Sequence, residues 1–321
     1  MMRMKITSVV LLGGWLWCVS PTLADGQGRS HVAILYGDHA SYKNAAVSLK
    51  AFLETQNLEC SLIAVPKARD SFARKRISEE LRKTKPAVIA AAGTVATSFA
   101  VRAVHDIPVV FFMVPNVRDT SFLKNEHSDR RVIGGVTTDV SPKDQIDWIL
   151  RTYPGCKRVA VLHSGRSRKT VESLKAAAEQ IGVTIVSIKA HKQGFPKAIA
   201  ALEEAHCDGL LMVPDAKVYN SASVQRVLLW GLRQKKPVWA FSESIVKAGA
   251  LAGQYVDRQD IARQTADFVR DLITQKESLP SGVQYPRRYK TAINEHTAAM
   301  IKASINRRAV EQNTVRFGGK P

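Results

Sequence analysis

The chain runs one series of elements twice, and that repetition restricts its fold more than any other feature. Val159 to His163 is a short apolar strand, Ser164 to Ser167 a polar turn, Thr170 to Ile181 an amphipathic helix and Val183 to Ile188 a β-branched strand. Val32 to Tyr36 opens the same series far upstream. Gly37 to Ser41 is its turn, its helix carries Leu49-Lys50-Ala51 where the later copy has Leu174-Lys175-Ala176, and Glu59 to Val65 is the next strand. Pro86 to Ala92 with Gly93-Thr94 then matches Cys207 to Val213 with Pro214-Asp215, and Ile107 to Phe112 matches Lys236 to Phe241. Runs of Val, Ile and Ala without polar alternation suit parallel strands buried on both faces. The expected fold class is therefore α/β, two doubly wound parallel-sheet lobes joined by a multi-strand hinge, with the working site between them.

The connections set the expected boundaries. Ser141-Pro142 starts a helix, Ser as cap and Pro at the first position, and marks the first passage between lobes. A later helix from Arg258 carries Ile261, Thr265, Phe268 and Leu272 on one face, though periodicity alone does not choose the lobe it covers. The first lobe is assigned residues 25–136 with about 254–281, and the second 137–253 with about 282–310. Residues 311–321, polar and Gly-containing, are expected to be a loose tail. Hinge strands are placed near Val136 to Asp139, Gly253 to Tyr255 and Ser281 to Gln284.

Arg3 and Lys5 precede an apolar run from Ile6 to Val19 that ends near Thr22-Leu23-Ala24, the pattern of a secretory signal peptide cleaved before Asp25. Cys18 follows Trp17 rather than the small residue that a lipidation site needs. An exported, periplasmic protein is expected. The formal charge of +19 becomes +17 once those two cations leave (19 − 2). Its Lys and Arg are scattered on helices rather than run together, so nucleic acid is not expected as a partner. Cys60, Cys156 and Cys207 remain, with no metal or redox spacing. Cys156 and Cys207 precede strands that neighbour one another in a doubly wound sheet, so a disulfide between them is possible in an oxidising compartment.

In an open parallel sheet, ligands sit beyond the carboxyl ends of the strands. Applied to both lobes, this nominates Asp38, Ser41, Tyr42, Thr94, Thr97 and Asn116 from the first and His163, Ser164, Asp215, Tyr219, Ser242 and Glu243 from the second. The helix start at Thr94 offers free N–H groups to a carboxylate, with hydroxyls from Thr94 and Ser41. Asp215 or Glu243 then faces an ammonium, so a small polar or zwitterionic, amino-acid-like ligand is expected. Capping and solvation account for the same residue types. No phosphate loop, nucleophile elbow or paired metal spacing occurs, so no catalytic residue, metal or cofactor is expected.

The order of motifs resembles the periplasmic substrate-binding proteins of ABC transporters, in the type I fold group that includes tryptophan and aromatic amino-acid binders. The resemblance rests on Ala92 to Thr97, Ile107 to Phe111 with Val114-Pro115-Asn116, Gly135-Val136-Thr137, Tyr153 to Val159, Val213-Pro214-Asp215, Val246 to Ala250 and Lys290 to Asn294. It implies hinge closure on a small-molecule ligand, an ABC permease as partner, and no enzymatic activity; a monomer is expected. Pro115-Asn116 and Gly37-Asp38-His39 depart from the relatives' Asp-Pro and His-Pro pairs, both where ligand would touch. The alternatives are a sensory protein presenting its ligand state to a membrane histidine kinase or receptor, and an exported hydrolase using Asp38, His39 and a distant serine.

Overall fold

Each apolar run of the first series becomes a buried strand followed by a helix. The computed structural model describes residues 30–123, 133–274, 282–306, 308, 310 and 313–318. The signal peptide expected at residues 1–24 lies outside the described residues. The first lobe contains β1 (His31–Tyr36), α1 (Ala40–Glu54), β2 (Glu59–Ala64), α2 (Ser71–Thr84), β3 (Val88–Ala92), α3 (Gly93–Ala103), β4 (Val109–Val114) and β5 (Ile133–Thr137). The second contains α4 (Pro142–Thr152), β6 (Arg158–His163), α5 (Arg168–Glu179), β7 (Thr184–Lys189), α6 (Phe195–Glu204), β8 (Gly209–Leu211), α7 (Ser221–Gln234), β9 (Val238–Ala240), α8 (Glu243–Lys247) and β10 (Ala252–Tyr255). Then follow α9 (Arg258–Ile273), β11 (Val283–Gln284), β12 (Lys290–Asn294), α10 (Glu295–Ile301) and β13 (Val315–Phe317).

Local chemistry sets several of the boundaries. Asp70 and Ser141 accept from the N–H groups of Ala73 and Asp144 to start α2 and α4, and Asn220 with Ser223 forms a capping box at α7. The first sheet runs β11-β5-β4-β3-β1-β2, all parallel. The second runs β13-β12-β10-β9-β8-β6-β7, parallel except where β12 meets β10. Alternate residues face opposite layers of each sheet. Ile34, Ala90 and Phe112 pack under α1 and α9, while Leu35, Ile89 and Ala91 pack with Leu81 of α2 and Phe99 of α3. In the second lobe Leu162, Met212 and Ala240 lie beneath α6 and α7, and Val161, Leu211 and Trp239 beneath α4 and α5.

Three details revise the expected boundaries. Helix α9 buries Ile261, Ala262, Phe268 and Val269 in the core of the first lobe, but Gln254 and Tyr255, assigned to that lobe, lie in the second sheet. Val283–Gln284 pairs with β5 and so extends the first sheet beyond 281. Val315–Phe317, within the segment expected to be loose, pairs with Ala292–Asn294 along β12, because backbone ladder bonds do not require an apolar run. The chain therefore passes between the lobes after β5, after β10 and after β11.

Strand β5 lies so close to β4 that one residue type is required. A Cβ on Gly135 would stand 1.9 Å from the Phe111 carbonyl oxygen, and its φ of +152° is disfavoured for other residues. Gly135→Ala is expected to destabilise the protein by about 1–3 kcal/mol or more, read as a lowered urea midpoint; an unchanged midpoint contradicts this account of the β4–β5 contact.

Candidate functional site

The carboxyl ends of both sheets border one cleft of about 1040 Å³. Ser41 and Tyr42 line it from the start of α1, Met113 and Pro115 from the end of β4, and Pro214 and Phe241 to Ser244 from the second lobe. The passages between lobes supply Thr138, Asp139, Gln254, Tyr255 and Asp257. The Tyr42 ring rests on Gly93, where an added Cβ would lie 2.7 Å from the ring at a φ of +82°. Burial raises the pKa of the Tyr42 hydroxyl.

Charged groups in the cleft hold one another in place. The Tyr255 hydroxyl donates to Glu243 Oε2 at 2.9 Å, and burial together with that carboxylate raises the tyrosine's pKa. Asp257 caps α9 by accepting from the Gln259 N–H and receives Lys290 Nζ at 2.5 Å. Burial would raise the Asp257 pKa, but these donors outweigh it and the value is lowered; Lys290 is raised by the same bond. Asp139, half-buried where β5 leaves the first lobe, is shifted the other way. Desolvation raises its pKa despite the Asn116 N–H at 2.9 Å and the Thr137 hydroxyl at 2.8 Å. Gln254 is buried, and its Oε1 has no partner among the described residues.

Of the residues nominated from sequence, Ser41, Tyr42, Ser242 and Glu243 come together on this lining. The others serve their own lobes or the contact between lobes. Asp38 is exposed and pairs with Lys67 at 3.3 Å. Thr94 is exposed outside the lining, and Thr97 is buried, donating back to the Gly93 carbonyl at 2.9 Å. His163 is buried with Nδ1 3.2 Å from the Ser164 carbonyl. Asp215 is an anchor: Oδ2 accepts from the Ser164 N–H and from the Ser164 and Ser167 hydroxyls at 3.0, 2.7 and 2.6 Å, and Oδ1 from the Lys217 N–H at 2.9 Å. Burial opposes ionisation there, yet these donors hold its pKa below the ordinary value. Tyr219 is buried against Phe241 at 5.9 Å between ring centres, its hydroxyl without a partner among the described residues.

Asn116 reaches the second lobe. Its Oδ1 accepts from the Thr170 hydroxyl at 2.9 Å, and its Nδ2 donates to the Pro214 carbonyl. Three residues on, Asp119 accepts from the N–H groups of Lys169 and Thr170 at 3.0 and 3.3 Å.

The Cys156–Cys207 disulfide is corrected: both are free, buried thiols packed in different layers of the second lobe. Burial, reinforced by Asp208, pushes the Cys156 thiol up to about 12. The imagined hydrolytic set does not assemble either, since Asp38 turns to Lys67 and His39 Nδ1 accepts from the Ser41 N–H as a helix cap. The residues missed from sequence, chiefly Asp139, Gln254, Tyr255, Asp257 and Lys290, sit at the passages between lobes. The predicted hinge positions were the available signal for most of them.

Two parallel-sheet lobes bordering one cleft define the type I periplasmic-binding-protein class. The profile of the ABC transporter substrate binding protein family matches residues 34–313, and the chain belongs to that family. Among solved structures it is similar to an ABC domain in complex with L-Trp from Streptococcus pneumonia, at 17% identity, with 90% of this chain and 100% of that one covered and a TM-score of 0.63. The ligand-free, open structure of CD0873, a substrate binding protein with adhesive properties from Clostridium difficile, aligns at 17% identity over 91% of this chain and 100% of that one, with a TM-score of 0.69. A periplasmic ribose ABC transporter from Conexibacter woesei aligns at 13% identity over 86% and 96%, with a TM-score of 0.56. No curated protein matches the sequence.

Asp215→Ala is expected to lower stability by about 1–3 kcal/mol, because buried donors lose their acceptor, while affinity for a cleft solute is unchanged. Since the folded pKa is depressed, the wild-type contribution is present above about pH 4 and lost as pH falls below it. Urea midpoints of wild type and variant should therefore converge on acidification; a gap independent of pH contradicts the role given to this carboxylate.

Proposed function

We propose that this chain is the exported solute-capture component of an ABC importer, and that its cleft takes a small polar or zwitterionic, amino-acid-like ligand. The observation that carries the ligand class is the Glu243 carboxylate, oriented by the Tyr255 hydroxyl at 2.9 Å on a wall of the cleft shared by both lobes. A carboxylate fixed in this way suits an ammonium group. Lys247 and Arg258 on the same lining suit a ligand carboxylate, and Tyr42 and Phe241 provide aromatic surface. The relative with L-Trp bound supports an amino-acid reading. Contacts from a solute to both lobes favour the closed form, with hinge movement at the three passages. The partner is a membrane permease, and the protein works in the periplasm as a monomer after signal-peptide removal.

A thermal-shift screen of amino acids, L-tryptophan included, beside neutral sugars tests this reading. An amino acid at about 100 times its Kd should add about 2.7 kcal/mol of stability and raise Tm. Glu243→Gln is expected to weaken that binding at least about tenfold. Stabilisation by sugars alone, or equal affinity in the variant, overturns the proposed ligand class.

A further inference from the structure

We infer that Asn116 and Asp119 form a latch between the lobes that biases the cleft toward closure, acting as positioning residues that set affinity without touching the ligand. This rests on reading the cleft as a solute site that closes. Neither residue lines the cleft.

The backbone is bent to make this contact. The pairing register of β4 shifts between Phe112 and Val114, and Met113 and Asn116 take left-handed φ values of +57° and +48°. Asparagine tolerates that region better than most residues. Its N–H is fixed on Asp139 Oδ1 at 2.9 Å, which directs the side-chain amide across the gap to Thr170 and Pro214.

Helix α5 supplies the second observation. The first N–H groups of a helix need acceptors from outside it. Ser167 occupies the capping position, but its hydroxyl donates to Asp215 at 2.6 Å and forms no side-chain cap. The missing cap comes from the opposite lobe, where Asp119 accepts from the Lys169 and Thr170 N–H groups at the positive end of the helix dipole. Separating the lobes therefore uncaps α5 and unpairs Asn116 at once, whereas closing them satisfies both.

The test uses the exported protein refolded from denaturant to strip any solute, and it needs no ligand. Small-angle scattering should show Asn116→Gly and Asp119→Ala more expanded than wild type, each lost hydrogen bond shifting the closed-to-open ratio about 2- to 12-fold. Glycine accepts the left-handed backbone, so Asn116→Gly removes the side chain without straining the turn. In that variant Asp119 remains, yet the amides of Lys169 and Thr170 should lose protection from hydrogen exchange, which a purely local capping role does not produce. Thr170→Val, altered on the other lobe, should expand the protein in the same way and replaces Asp119→Ala if that variant fails to fold. Equal dimensions for wild type and variants, or amides still protected in Asn116→Gly, overturns the latch. A failed solute screen leaves this result intact, and a failed latch leaves the ligand class standing.

Discussion

The site depends on the direction of parallel strands. When every strand of a sheet points one way, all the loops after the strands gather at one edge. Two sheets of this kind, only β12 and β13 of the second running the other way, are joined by passages after β5, β10 and β11 and turn those edges toward one gap. The same arrangement brings helix N-termini and strand ends, which carry unpaired backbone groups, close to the gap. Polar side chains there meet two demands, the needs of their own lobe and those of whatever enters. Asp215 is fully committed to the first, with Ser164, Ser167 and Lys217 donating to it. Glu243, given one hydroxyl partner and facing the cleft, is placed for the second.

This division explains what was legible in the sequence. Strands buried on both faces leave near-continuous apolar runs such as Val32 to Leu35 and Val159 to Leu162, so the repeat and the two sheets could be read directly. Strand direction then located the cleft edge, and Ser41, Tyr42, Ser242 and Glu243 lie on it. The rest of the site was not legible because capping and ligand binding draw on the same residue types. Thr97 and Asp215 look like ligand groups in one dimension and are consumed by local hydrogen bonds in three. Asp139 and Gln254 carry no turn or motif signal beyond lying in the expected hinge strands; they border the cleft because the lobes sit together as they do. The two cysteines show the same limit, since neighbouring strands were foreseen but not that each thiol enters a different layer.

Charge follows a similar logic. The chain carries 47 Lys and Arg against 28 Asp and Glu, yet the cleft lining sets Asp139, Glu243 and Asp257 against Lys247, Arg258 and Lys290. The excess of positive charge is therefore not concentrated in the cleft. One of the cleft cations is already engaged, Lys290 with Asp257. A balanced lining suits a ligand that carries both signs better than a simple anion, whereas the basic surface outside acts over roughly a Debye length of 8–10 Å on approach.

A latch of this kind is useful only within narrow energetic bounds. Its hydrogen bonds exchange with water when the lobes part, so each contributes only about 0.5–1.5 kcal/mol net, somewhat more where a carboxylate accepts. That keeps open and closed forms near balance, the regime in which modest differential contacts from a small solute decide the outcome. A latch of buried apolar surface would hold the lobes together too firmly for solute to enter. Polar contacts from Asn116 and Asp119, beside the cleft rather than in it, favour closure while leaving the cleft surface free to discriminate among solutes.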